Sequence, residues 1–256
     1  VTPHFFSSIL DMSPIEIASL AAAALLAGLA RGFAGFGSGM VFIPLAAMVV
    51  GPARAAPILL VIDLLGGLPT LRGSWRTAEK PANFVILLGA ALGMPLGVTL
   101  LLQGDPELLR WCISGAILLT LALVVSGRTY RGRTGPLVYS GVGVLSGVMS
   151  GVAQIGGPPV VAFWMGVDRS VAQRRANILF YFVIVSLLAF VVYLGSGLLS
   201  LDIAALSVLA GMPFTAGVLA GGRLYRFATP EFVKLSTCIL ILVAVCLGLP
   251  LWDHLR

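Results

Sequence analysis

The sequence predicts an all-α integral membrane protein made of two inverted repeats. Each repeat holds a first helix, a short re-entrant or broken helix and three further spans, giving about 8 full spans plus 2 short helices. Three observations predict this class. Charged residues make up only 10% of the chain, against the roughly one quarter that a water-facing surface needs, and mean hydropathy is +1.05. The apolar residues fall in blocks such as Asn83–Gln103 and Leu109–Ser126, close to the ~20 residues that cross a hydrocarbon core. The second half repeats the plan of the first, with the charge of its loops reversed.

In chain order, Pro14–Ala30 reads as a first span, with Ser13 as its cap and Pro14 in its first turn. The segment before Met12 lacks Lys and Arg, and the first apolar block runs on to Arg31, which does not fit a cleavable signal peptide. Arg31–Gly39, RGFAGFGSG, is too rich in glycine to propagate a helix. Met40–Val50 is apolar but too short to cross alone. Ala53–Leu71, Asn83–Gln103 and Pro106–Ser126 read as full spans, and the polar stretch Gly127–Gly135 as a linker. Leu137–Ala153 then leads into QIGGPP, Gln154–Pro159. Val160–Val167 is again short, and Ala176–Leu194, Ile203–Gly221 and Pro230–Leu249 complete the set. The expected organisation is a first repeat over 1–126, a cytoplasmic linker over 127–136 and a second repeat over 137–256.

Residue matches carry the duplication. Gly-Met-Pro recurs at Gly93–Pro95 and Gly211–Pro213, and PELLR, Pro106–Arg110, pairs with PEFVK, Pro230–Lys234. Gly32 and Gly37 match Gly151 and Gly156, while Arg54, Ile58 and Leu59 match Arg174, Ile178 and Leu179. Sidedness follows from the basic loops, which stay in the cytoplasm. The loop with Arg72, Arg76 and Lys80 is basic, and its counterpart Gly195–Leu201 has no Lys or Arg. Gln103–Glu107 has none, and its counterpart Gly222–Thr229 has Arg223 and Arg226. Opposite bias in matched loops calls for inverted copies, with both termini outside. Inverted repeats with interrupted helices are a recurring plan of secondary transporters.

The two glycine segments form the candidate site. Non-helical backbone is tolerated at membrane depth only where protein or water satisfies it. Gly35, Gly37 and Gly39 in one copy, and Gly156 and Gly157 in the other, are expected at hairpin tips that meet near the bilayer midplane. Glycine there permits positive φ and close approach of a ligand, and successive N–H groups at a helix start suit an anion. Ser38 and Gln154 add neutral side-chain donors. Arg31 adjoins the first segment, Arg175 or Arg174 could face a permeation path, and Asn177 lies one turn into its helix. Packing, lipid contact and loop anchoring are the plainer roles for these residues. Asp63, in the middle of a span, is a candidate to take a coupling proton, or a residue paired with Arg31 or a backbone group.

The residues GFAGFGSGMVFIPL, Gly32–Leu45, and SGVAQIGGPPVVAFWM, Ser150–Met165, with ARAAPIL, Ala53–Leu59, and RRANILF, Arg174–Phe180, resemble the sulfite exporter TauE/SafE family, also called the toluene-sulfonate uptake permeases. The likeness covers nearly the whole chain from Pro14 onward. It implies an inverted-repeat fold that moves sulfite, sulfonates or sulfoacetate, as a secondary transporter and an exporter, in a bacterial-type inner membrane. The family's glycine motifs would fall on Gly35, Gly37 and Gly39 and on Gly156 and Gly157. The chain departs from the pattern at Ser38, at Pro158 and Pro159, and at Pro57 opposite Asn177.

Rival classes lack their chemistry. An intramembrane enzyme needs a nucleophile with a base or clustered ligands, and the only histidines, His4 and His254, lie at the two ends. A cation carrier usually needs several embedded carboxylates, and a structural assembly partner gives no reason for paired helix breaks. Another small anion, or an organic acid coupled to a cation, remains the alternative cargo. No cofactor or metal is expected, with a coupling proton or sodium ion left open. Cys112, Cys238 and Cys246 show no metal-ligand spacing. The expected partners are the lipid bilayer, a small sulfur oxyanion and, compatibly, further copies in a homo-oligomer. The net charge of +6 sits in short clusters between apolar blocks, which argues against nucleic acid.

Overall fold

The computed structural model describes residues 12–34, 37–126, 132, 134–225, 227 and 230–249. Their regular structure is helical throughout, in ten helices: α1 Pro14–Ala34, α2 Ser38–Val50, α3 Pro52–Thr77, α4 Lys80–Gln103, α5 Pro106–Ser126, α6 Pro136–Ala153, α7 Gly157–Gly166, α8 Val171–Gly195, α9 Leu201–Tyr225 and α10 Pro230–Gly248. Every block expected from hydropathy is a helix, and both short stretches are separate short helices. Five helices, α1, α4, α6, α8 and α9, are long and apolar enough to cross a membrane, and bent α3 makes a sixth. In α10 the described apolar part, Cys238–Gly248, is shorter than a span.

The helix starts are set by local chemistry. At α1, Glu16 N–H donates to Ser13 Oγ while Ser13 N–H donates to the Glu16 carboxylate, a reciprocal capping box. Asp105 caps α5 through Leu108 N–H, and Ser170 caps α8 through Gln173 N–H. α4 and α9 each carry an internal proline, Pro95 and Pro213, from the repeated Gly-Met-Pro.

The helices fall into two compact units that interleave along the chain. One contains Val1–Ile62, Gly104–Leu121 and Gly197–Arg256, and the other Asp63–Gln103 and Ala122–Ser196. In the first unit, α1 packs chiefly against α9 and α2, and α10 packs against α2. In the second, α4 packs against α6 and α8, with α7 beside α6 and α8. The first helix of each half therefore pairs with the fourth helix of the other half.

Glycine is what lets these pairs form. A Cβ added at Gly93 would stand 2.3 Å from the Val144 carbonyl oxygen, and one at Gly147 would stand 2.3 Å from that of Ala90. Gly28 and Gly32 meet the Phe214 and Val218 carbonyls in the same way. Without an aqueous driving force between helices, such backbone approach supplies the packing energy. The contacts rise together along both helices: Gly89, Gly93 and Gly97 meet Ser140, Val144 and Val148. The α4–α6 pair is thus parallel, and by the same register so is α1–α9. Gly32 and Gly151, matched in the sequence, both serve this packing rather than the helix breaks.

Candidate functional site

The first break lies between α1 and α2. Gly35 and Phe36 lie outside the described residues. Gly37 has φ 93° and ψ 0°, a left-handed conformation that only glycine takes without strain, and it caps α2 with no side-chain bond. Its carbonyl accepts from Val41 N–H at 3.2 Å. Ser38 and Gly39 open α2 and are buried. Arg31 is half-buried in the last turn of α1.

The second break is built differently. The sequence reading placed positive φ on glycine, but here it falls on Gln154, at φ 56°, and Gly156 has φ −72°. The Gln154 N–H reaches back to the Met149 and Ser150 carbonyls and closes α6. Gly156 is required by space instead: a Cβ would lie 2.0 Å from Ser150 Oγ and 2.2 Å from the Ser146 carbonyl. A Cβ at Gly157 would press on the Phe182 ring at 3.0 Å. The Gln154 side-chain amide, expected as a neutral donor to the anion, donates to the Ser150 carbonyl at 3.0 Å.

Three buried hydroxyls hold this break, and none was among the expected substrate contacts. Ser146 Oγ donates to the Gly156 carbonyl, and Tyr181 OH donates to Ser146 Oγ at 2.7 Å. Tyr193 OH donates to the Gly151 carbonyl at 2.8 Å. In a trans peptide the C=O and N–H point opposite ways. With Gly156 C=O turned to Ser146, the Gly157 N–H is directed to the other side. Pro158 and Pro159 follow with no N–H, so they leave donors at the upstream edge of α7.

A polar corner ties the start of α4 to the loop before α8. Asn177 Oδ1 accepts from Glu79 N–H at 2.6 Å and from Asn83 Nδ2 at 3.0 Å, and Asn83 Nδ2 also donates to the Glu79 carbonyl at 3.0 Å. The Glu79 carboxylate takes two bonds from Arg169, at 2.8 and 3.2 Å, which raise the guanidinium pKa above its usual range. Both asparagines are fully buried, yet Asn177 Nδ2 and Asn83 Oδ1 have no hydrogen-bond partner, and neither has Trp164 Nε1. Asn177 was expected as a polar contact; Asn83, Glu79 and Arg169 give no signal in one sequence, because only the fold brings them together.

Among the other candidates, Arg174 donates to the Met165 carbonyl and so closes the C-terminal end of α7, while Arg175 is exposed. Asp63 is half-buried inside α3. Trp164 is buried beside Phe163. Among the described residues no three His, Cys, Asp or Glu stand close enough to hold a metal ion.

The profile of the family described as Sulfite exporter TauE/SafE matches residues 20–247. No curated protein and no solved structure matches the chain.

Proposed function

Because this chain belongs to the sulfite exporter TauE/SafE family, a family of membrane transporters of sulfur anions, we propose that it exports small sulfur oxyanions such as sulfite, sulfonates or sulfoacetate. It does so as a secondary transporter in an inner membrane, by alternating access, with the backbone donors of the two glycine breaks as its anion contacts. The observation that carries this is the second break. There Ser146 and Tyr181 fix the Gly156 carbonyl and so direct the Gly157 N–H, at the start of α7, away from them. A preset amide at a helix start needs no counter-charge to favour an anion and costs little reorganisation when one arrives.

The parallel packing of α1 with α9 and of α4 with α6 supports the inverted reading. If successive helices reverse direction, five elements per half bring the second copy in upside down, and both pairs then run parallel as observed. On this reading α5 and α10 are also spans. Arg31, Ser38, Gln154 and Arg175 are secondary candidates for substrate contact, and Asp63 for a coupling proton.

The test is uptake by proteoliposomes offered sulfite, methanesulfonate, sulfate and chloride, repeated with Gly37→Val and Gly157→Val. Transport of sulfite or sulfonate should fall at least ten-fold in both, with the protein still monodisperse, since each loses an interaction of ~1.4 kcal/mol or more. Equal transport by wild type and both variants removes the site, and preference for chloride moves the chain to another anion.

A further inference from the structure

The corner at Glu79 has the parts of a latch over a binding position, and this inference rests on the transport reading above. Glu79 is held in two ways at once. Its backbone N–H and C=O bond the amides of Asn177 and Asn83, and its carboxylate bonds Arg169. The orientation of both amides follows from this. Asn177 Oδ1 must be the oxygen, because a backbone N–H can only donate to it; Asn83 Nδ2 must be the nitrogen, because the Glu79 carbonyl can only accept. One donor group, Asn177 Nδ2, and one acceptor, Asn83 Oδ1, are then left over on amides already in contact at 3.0 Å, both fully buried and both without a partner. Orphaned buried polar atoms are rare, because each forfeits its hydration without a replacement.

We propose that Asn83 and Asn177 form an intermediate binding position for a singly protonated oxyanion, opened and closed by the Glu79–Arg169 ion pair. The chemistry of the leftover atoms selects this ligand class. An S–O oxygen accepts from Asn177 Nδ2, and an acidic O–H donates to Asn83 Oδ1. Hydrogensulfite supplies both groups, whereas a sulfonate supplies only acceptors. The ion pair suits a latch. Its side chains are 35% and 25% exposed, so it is screened enough to break and reform during transport. On the expected topology, the loops carrying Glu79 and Arg169 both face the cytoplasm.

The experiment uses full-length protein in proteoliposomes, with Cys112, Cys238 and Cys246 replaced by Ala. A single cysteine is introduced as Asn177→Cys and labelled with a membrane-impermeant maleimide, with no anion added. Arg169→Ala should raise the labelling rate about five-fold, the effect of losing one partly exposed ion pair. The exchanged pair Glu79→Arg with Arg169→Glu should return it toward the starting rate. Unchanged labelling in Arg169→Ala, or a folded exchanged pair that labels like the single variant, overturns the latch. In the native asparagine background, Asn83→Leu should raise KM for sulfite about ten-fold, as a lost buried hydrogen bond does, and raise KM for methanesulfonate by clearly less. Equal shifts for both anions, or none for either, overturn the binding position. Because labelling needs no substrate, the latch can fail while sulfite transport stands, and the reverse.

Discussion

At the residue scale, the two breaks use glycine for two different physical reasons. Gly37 sits where the backbone is left-handed and space is open, the nearest side-chain atom to an added Cβ being Ile241 Cδ1 at 3.6 Å. Any substitution there is strained by conformation. Gly156 has an ordinary φ, but Ser146 and Ser150 occupy the place of a side chain. Gly156→Ala should therefore lower stability in detergent by about 1–3 kcal/mol, as overpacking does, and weaken sulfite binding with it. Gly115→Ala, with nothing within 4 Å of the added carbon, should be neutral or slightly stabilising. Thermal unfolding of the two variants side by side checks this, and an equal effect would refute the steric account. Tyr181→Phe removes the donor to Ser146 Oγ. It should cost about 1 kcal/mol and raise KM for sulfite, because the hydroxyl that holds the Gly156 carbonyl then loses its own support.

At the element scale, the governing feature is the parallel helix pair closed by small residues. On α6, Gly147 lies under the Ala90 backbone, whereas Gly141 has open space around it. Gly147→Leu should separate α4 from α6 and yield aggregated or poorly expressed protein. Gly141→Leu should behave as wild type on size-exclusion chromatography in detergent. The repeated Gly-Met-Pro illustrates how sequence symmetry and contact differ. Gly93 on α4 packs against the Val144 backbone, but its match Gly211 on α9 reaches only Ile62 Cγ2 at 3.9 Å. On α9 the packing falls instead to Gly217 and Gly221, because two extra residues follow the proline and displace the glycine row.

For the whole molecule, the exchange of helices between halves is the main architectural result. α1 of the first half is completed by α9 of the second, and α6 of the second by α4 of the first. Neither half is then expected to hold its glycine break in place alone, so expressing 1–126 and 137–256 separately should give no stable membrane protein, while co-expression should recover one. Topology gives a separate test. Single cysteines at Arg76 and at Gly197, in the background lacking the three native cysteines, should react with an impermeant reagent from opposite sides of the membrane. Reaction from one side only would contradict the inverted arrangement.

Hydropathy and glycine content alone determined the class, the helix blocks and both short helices. Each of those depends on local composition: apolar length for a span, glycine and proline for a break. Pro136–Ala153 and Pro106–Ser126 accordingly match their blocks to within a residue. The tertiary structure decided which glycines serve which purpose. Gly32 and Gly37 look alike in the chain, yet one packs a helix pair and the other takes a left-handed turn. It also decided the support of the second break, drawing Ser146 from α6 and Tyr181 from α8, and the corner joining Glu79, Asn83, Arg169 and Asn177. Those partners stand tens of residues apart. A hydrogen bond between such groups depends on where packed helices bring them, and no local pattern in the sequence encodes that distance.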